Sequence, residues 1–166
     1  MGDKEHSVPG HQTLKRLAVD LIEEQSTMTL ATAKGDVAWS APVYYIFFKS
    51  CFYFFSDPTS RHIQESLASN QASCSIYANA STWQEIRGVQ MSGHIEPVAP
   101  RLGAIEVIRA YLKKFPFTRD FFKPGQALDL EAFVKRFKVK LYRYKPTLVY
   151  YMDNSIRFGF REEVVL

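Results

Sequence analysis

Only two cysteines, Cys51 and Cys74, occur in 166 residues. A small secreted disulfide scaffold needs more, and neither cysteine stands in the Cys/His spacing of a metal site. Each lies inside an apolar, strand-like stretch, where a reduced, buried thiol is expected. No apolar run approaches the ~20 residues needed to cross a bilayer. The opening "MGDKEHSVPGHQ" lacks the apolar core of a signal peptide, so a cytoplasmic protein without a membrane partner is expected. Common fingerprints are missing as well: no GxGxxG behind a strand, no GxxxxGK[ST] and no GxSxG elbow. The four histidines (His6, His11, His62 and His94) form no HExxH and no cluster with cysteine, so no metal is expected. Nor does one sign of charge dominate. Twenty-one basic and 17 acidic residues leave a net charge of +4, spread along the chain apart from a cluster at Lys135 to Lys145. So small an excess does not choose nucleic acid over a small anionic ligand.

What is abundant is aromatic. Phe, Tyr and Trp make up 14% of the chain, with 13 Phe and 9 Tyr. That favours strands and supplies rings for packing or for a flat ligand. The length favours one domain, taken as residues 11–166 behind a flexible arm at 1–10. In "QTLKRLAVDLIEEQ" (12–25), Leu14, Leu17, Ala18, Leu21 and Ile22 recur at helical spacing, which predicts an amphipathic helix. "TMTLATA" (27–33), "VAWSAPVYYIFF" (37–48) and "CFYFFS" (51–56) read as strands on very short connections, an antiparallel meander. Pro42 argues for an edge, bulge or bend in the second of these. The second and third are nearly all apolar, so burial on both faces is expected. A short helix (60–70), a strand (72–80) and a long strand (86–98) with Gly88 and Gly93 follow. The glycines suggest bends or close backbone approaches. Helices at 99–115 and 128–137, with Pro100 in the first turn of the former, precede one or two final strands. The order predicts a mainly β protein: a six- to seven-stranded antiparallel barrel with helices packed outside.

Two stretches hold candidate chemistry. In "FFSDPTSRHIQ" (54–64) an apolar strand stops at Ser56 and a helix begins near Thr59 to Arg61. Unpaired amides at a helix start, the hydroxyls of Ser56, Thr59 and Ser60, the Arg61 fork and His62 together suit a phosphate. The plainer reading is a helix capped by Asp57, Thr59 or Ser60. In "WQEIRGVQMSG" (83–93), alternation puts Val89 and Met91 on one face and Gln90 and Ser92 on the other. The Gln90 amide suits the polar edge of a heteroaromatic ring, or simply faces solvent. Trp83, just before this strand, serves packing, a dimer contact or ligand stacking.

"MTLATAKGDVAWSAPVYYIF", "FYFFSDPTSRHIQESLASNQASCSIY" and "IRGVQMSGHIEPV", in that order over residues 28–98, resemble the pyridoxamine 5'-phosphate oxidase-like FMN-binding split-barrel superfamily. The closing "LYRYKPTLVYYMDNSIRFGFREE" is similar to the last strand and tail of its small bacterial members. The resemblance implies a split β-barrel homodimer with FMN in clefts at the subunit interface. It implies backbone contacts to the flavin from Pro42, Val43 and Tyr44. It gives Phe55, Ser56, Ser60, Arg61 and His62 to the ribityl and phosphate groups, and brings Gln90 to the flavin. The superfamily commonly has a basic residue where His62 stands, which implies a weaker or pH-dependent phosphate grip. A further basic residue expected within "VYYIFF" is absent, and Arg157 is only a loose match to the substrate-binding pattern of the true oxidases. The resemblance therefore favours an FMN-dependent oxidoreductase acting on another small molecule. FMN would carry the hydride or electron chemistry, so no acid or base is demanded of the chain. The alternatives are a non-catalytic flavin- or haem-binding carrier or sensor on the same fold, with His62 or His94 toward iron, and a nucleic-acid-binding barrel using the Lys135 to Lys145 cluster. Alternation of that cluster with apolar residues speaks against the last.

Overall fold

A computed structural model describes residues 8–99, 102–121, 134–135 and 137–166. Most of the expected arm, the helix start at Pro100 and most of the helix expected at 128–137 lie outside the described residues. Helix α1 (His11–Glu24) is followed by strands β1 (Thr27–Lys34), β2 (Val37–Tyr44), β3 (Ile46–Phe48) and β4 (Cys51–Ser56). Helix α2 (Arg61–Ser69), β5 (Ala72–Tyr77) and β6 (Arg87–Pro97) come next, then α3 (Leu102–Lys114), β7 (Lys140–Asp153) and β8 (Arg161–Glu163). No described helix is long and apolar enough to cross a membrane.

All pairings are antiparallel, and the sheet runs β2-β1-β5-β6-β7-β4-β3. The end strands of this path, β2 and β3, are consecutive in sequence, with Tyr45 alone between them. A sheet whose outermost strands are joined by one residue has to curl until its two edges meet. No ladder pairs β2 with β3, so the barrel closes without that row of hydrogen bonds and stays split. Tyr45 anchors the crossing: it is fully buried, its amide donates to the Ser26 carbonyl, and its hydroxyl donates to the Ile22 carbonyl at 2.5 Å. Strand β7 serves two neighbours on its second edge, β4 along its first half and β8 near its end.

The meander expected over 27–56 is corrected here. The 37–48 stretch is two strands: its first part pairs with β1 at one edge, its second with β4 at the other. Burial of 37–48 on both faces is also corrected, because β2 is exposed or half-exposed at every position. As an end strand, β2 has one sheet neighbour, α2 reaches over it at Trp39, and Pro42 fits such an edge. Strand β4 does lie between two apolar layers. Phe52 and Phe54 join the barrel core with Leu30, Ile76, Met91 and Tyr144, to which α1 adds Leu14, Ala18, Leu21 and Ile22. Tyr53 joins Ile46 and Leu141 in a second layer under Val107, Tyr111 and Phe115, of which the first two lie on α3.

Gly93 explains the curvature of β6. The register against β7 shifts between Ser92 and Gly93, so that Ser92 faces Leu148 and Gly93 faces Pro146. A Cβ at position 93 would run into the Lys145 carbonyl oxygen and fall 2.9 Å from the Pro146 Cα, so only glycine allows this bulge. Gly88 is a close backbone approach without a bulge, its added Cβ falling 2.6 Å from the Ile76 carbonyl.

Candidate functional site

Ser56 ends β4. It follows Phe52 and Phe54 at alternate positions, so its hydroxyl sits on the inner face at the end of the barrel, where the residue is 8% exposed. The turn behind it is held by Asp57, whose carboxylate accepts from the Thr59 amide and hydroxyl, both at 2.7 Å. Those bonds hold the Asp57 carboxyl below its ordinary range. Asp57 and Thr59 are therefore occupied with each other rather than with the helix. Ser60 occupies the cap position of α2, yet its hydroxyl donates backwards, to the Asp57 carbonyl at 2.7 Å, and makes no cap bond. The amides of Ile63 and Gln64 turn to the Ser60 carbonyl, while those of Arg61 and His62 find no acceptor among the described residues. Side-chain capping, the plainer reading of this stretch, is not what the fold builds.

His62 completes the group. Its Nε2 lies 2.9 Å from the Ser56 hydroxyl and 3.3 Å from that of Ser60, and the two hydroxyls are 3.2 Å apart. Burial holds the imidazole below its ordinary pKa of 6.5. The Ser56 hydroxyl, the imidazole and two unpaired amides at the positive end of a helix are a donor set that fits a phosphate.

Arg61 already has partners within the chain. Its Nε donates to Glu65 Oε1 at 2.6 Å, and its guanidinium lies over the Trp39 ring of β2, 4.8 Å from the ring centre. Glu65 is 6% exposed, and its second oxygen accepts from Thr32 Oγ1 of β1 at 2.7 Å. These donors hold the Glu65 carboxyl below its ordinary range, Arg61 contributing most. The Arg61/Glu65 spacing of four was legible as a helix pair. Thr32 and Trp39 were not, because their part depends on how α2 packs across β1 and β2.

The remaining candidates divide by face. Ladder register sets Pro42, Thr29, Ser75, Gln90 and Tyr150 in one row across five strands. Gln90 is exposed on the outer face, in an open groove of about 360 Å3 that Thr29, Ser75 and Tyr150 also line. A larger groove of about 620 Å3 shares Ala31, Ser73 and Ser92 with it and extends to half-buried His94. Ser56 and Gln90 thus lie on opposite faces of the sheet within one chain. Val43 is half-buried and packs on the barrel core. Tyr44 and Phe55 belong to an aromatic chain along α3: Phe55 to Tyr111 (5.0 Å), Tyr111 to Phe115 (4.7 Å), and Phe115 to Tyr44 (5.2 Å). Trp83, 52% exposed, stands edge-on to Phe158 at 5.4 Å, in the corner where Arg157 is also exposed. In the basic cluster, Arg143 is engaged by Glu96 through Nε at 2.8 Å, while Lys140 and Lys145 are exposed. Cys74 is buried and Cys51 half-buried, both free.

No family model matches the chain. A UPF0306 protein of Klebsiella pneumoniae strain 342 is 25% identical over 143 residues, covering 83% of this chain and 84% of that one. Among solved structures, a candidate pyridoxamine 5'-phosphate oxidase of Listeria innocua matches with a TM-score of 0.62 at 11% identity, over 84% of this chain and 98% of its own. The fold is an antiparallel split barrel. An FAD-binding protein of Mesorhizobium loti (TM-score 0.60, 19% identity, 81% and 90% covered) shares it. So does the haem storage protein HutZ of Vibrio cholerae (TM-score 0.62, 14% identity, 80% and 89% covered). At these identities the likeness is one of fold, and it spans flavin-binding and haem-binding proteins alike.

Proposed function

We propose that this protein binds FMN and acts as an FMN-dependent oxidoreductase on a small molecule, as a homodimer. The observation that carries the reading is the uncapped start of α2, where Ser56, Ser60 and His62 gather beside two amides without an acceptor among the described residues. Bound FMN would supply the hydride or electron transfer. The chain's part is to hold the phosphate at Ser56, Ser60 and His62, with Arg61 beside them. Pro42, Val43, Tyr44 and Phe55 would border the ring and ribityl chain largely through backbone, since their side chains are edge or packing groups. Gln90 opens on the other face of the sheet, so its contact with a flavin held at Ser56 would come from a second copy of the chain. The exposed edge strand β2, with Val37 56%, Trp39 44% and Tyr44 49% exposed, is apolar surface that a second copy would cover.

The likeness to a haem storage protein favours a second reading, a haem carrier without turnover. His94, half-buried on the larger groove, is then the iron-ligand candidate, because His62 Nε2 is already held by two hydroxyls. The visible spectrum of the purified protein separates the two. Flavin bands with FMN released on denaturation, and NAD(P)H oxidation that depends on it, support the first reading. A Soret band lost in His94→Ala supports the second. Ser56→Ala with Ser60→Ala should weaken FMN binding about tenfold, as expected when charge-assisted hydrogen bonds are lost. Unchanged affinity refutes the phosphate seat.

A further inference from the structure

We propose that Glu65, anchored by Thr32, is a positioning residue that holds the Arg61 guanidinium against Trp39 so that its terminal amino groups present a fixed fork to the anionic group of the bound ligand. The inference rests on the flavin-phosphate reading and goes beyond it by naming what gives Arg61 its direction.

Glu65 is a carboxylate almost closed from solvent, covered by its own partners, and both its oxygens are used. One is tied to the hydroxyl of Thr32 on β1, a strand that belongs to the barrel wall, so the carboxylate cannot swing with the helix surface alone. The other takes the Arg61 Nε–H, and only that one. A carboxylate that merely neutralised an arginine would more commonly take two N–H groups from it, as Glu96 Oε1 does from Nε and Nη2 of Arg143. Bonding through Nε leaves both Nη groups of Arg61 without a hydrogen-bond partner among the described residues, while the guanidinium carbon lies over the Trp39 ring, 4.8 Å from its centre. A planar fork held from its back edge and from one face has its rotamer entropy removed before the ligand arrives. Arg61 is also the first residue of α2, in the same turn as Ser60 and His62.

The alternative role for Glu65 predicts an effect of opposite sign. If it only neutralised Arg61, removing its charge would strengthen binding of an anion. If it positions Arg61, removing it weakens that binding although the site becomes more positive. The test is the ratio of dissociation constants for riboflavin and FMN, which differ by the phosphate, measured by flavin fluorescence on the full chain stripped of cofactor. Wild type is expected to prefer FMN. Glu65→Leu should weaken FMN about tenfold and leave riboflavin within twofold, consistent with loss of one charge-assisted contact. Glu65→Gln, which keeps an acceptor for Nε, should recover most of the ratio. Should Glu65→Leu not fold, Thr32→Val, which frees the carboxylate from the barrel wall, should reduce the same ratio, and Thr32→Ser should not. An unchanged or increased FMN preference in Glu65→Leu or Thr32→Val overturns the proposal, as does equal loss for both flavins. If wild type itself binds neither flavin, the functional reading fails and this inference falls with it.

Discussion

At the scale of single residues, His62 is a histidine whose burial disfavours its charged form. Burial lowers the His62 pKa below 6.5, and its ring nitrogen rests on two serine hydroxyls. In the unfolded chain His62 protonates at about 6.5. As pH falls below that value the unfolded state therefore takes up a proton that the folded state resists. His62 thus contributes stability that is fully present above pH 6.5 and is lost as pH drops toward its lowered pKa. Urea denaturation between pH 7 and pH 5 should show wild type losing more stability than His62→Gln over that window; parallel curves would contradict it. A phosphate beside the ring reverses the sign, because an anion favours the imidazolium. The His62 ring resonances should accordingly titrate below 6.5 in the ligand-free protein and at higher pH when FMN is bound. The candidate residues were legible here because hydroxyls, Arg and His crowd a helix start. Their roles were not, since capping or anion binding depends on where the Ser60 hydroxyl points, and it points back to Asp57.

At the scale of elements, two small devices shape the scaffold. The first is the β6 bulge, where a Cβ at Gly93 would meet the backbone of Lys145 and Pro146 rather than a movable side chain. Gly93→Ala should cost about 2 kcal/mol or more and lower the urea midpoint, as overpacking against backbone does. The second joins α3 to α1. Lys114 donates to the Gln25 carbonyl at 2.6 Å, at the α1 C-cap, and lies over the Tyr45 ring, 4.4 Å from its centre. Burial lowers its pKa, so the contact is made by a partly desolvated cation. Lys114→Met should cost about 1.5–3 kcal/mol, the range for a hydrogen bond to a charged group, with little change in flavin affinity. The helices and most strands were readable from periodicity: α1 buries Leu14, Ala18, Leu21 and Ile22 as the pattern requires. The division of "VAWSAPVYYIFF" was not, because both halves are β-prone and apolar. What separates them is long-range pairing, β2 with β1 and β3 with β4.

At the scale of the molecule, the closure of the sheet at Tyr45 brings β2 and β4 to the same side of the barrel, which lets α2 run from the end of β4 back across β1 and β2. The barrel class followed from strand order alone, since short hairpins exclude a parallel sheet. The exposure of β2 did not, because apolar composition reads as burial until the strand is found at an edge with a single sheet neighbour. That exposed edge strand and the placement of Gln90 opposite Ser56 are the basis for a second copy. Light scattering should give a dimer, and Trp39→Glu should shift it toward monomer; a wild-type monomer at micromolar concentration would contradict the paired arrangement. Everything proposed for the site depends on the α2 start holding the phosphate of FMN, and titration of the stripped protein with FMN, riboflavin and haemin decides it. Saturation at one FMN per chain is expected, with riboflavin bound at least about tenfold more weakly, the loss of one charge-assisted contact or more. Equal affinity for FMN and riboflavin, or saturation by haemin alone, would contradict the phosphate seat.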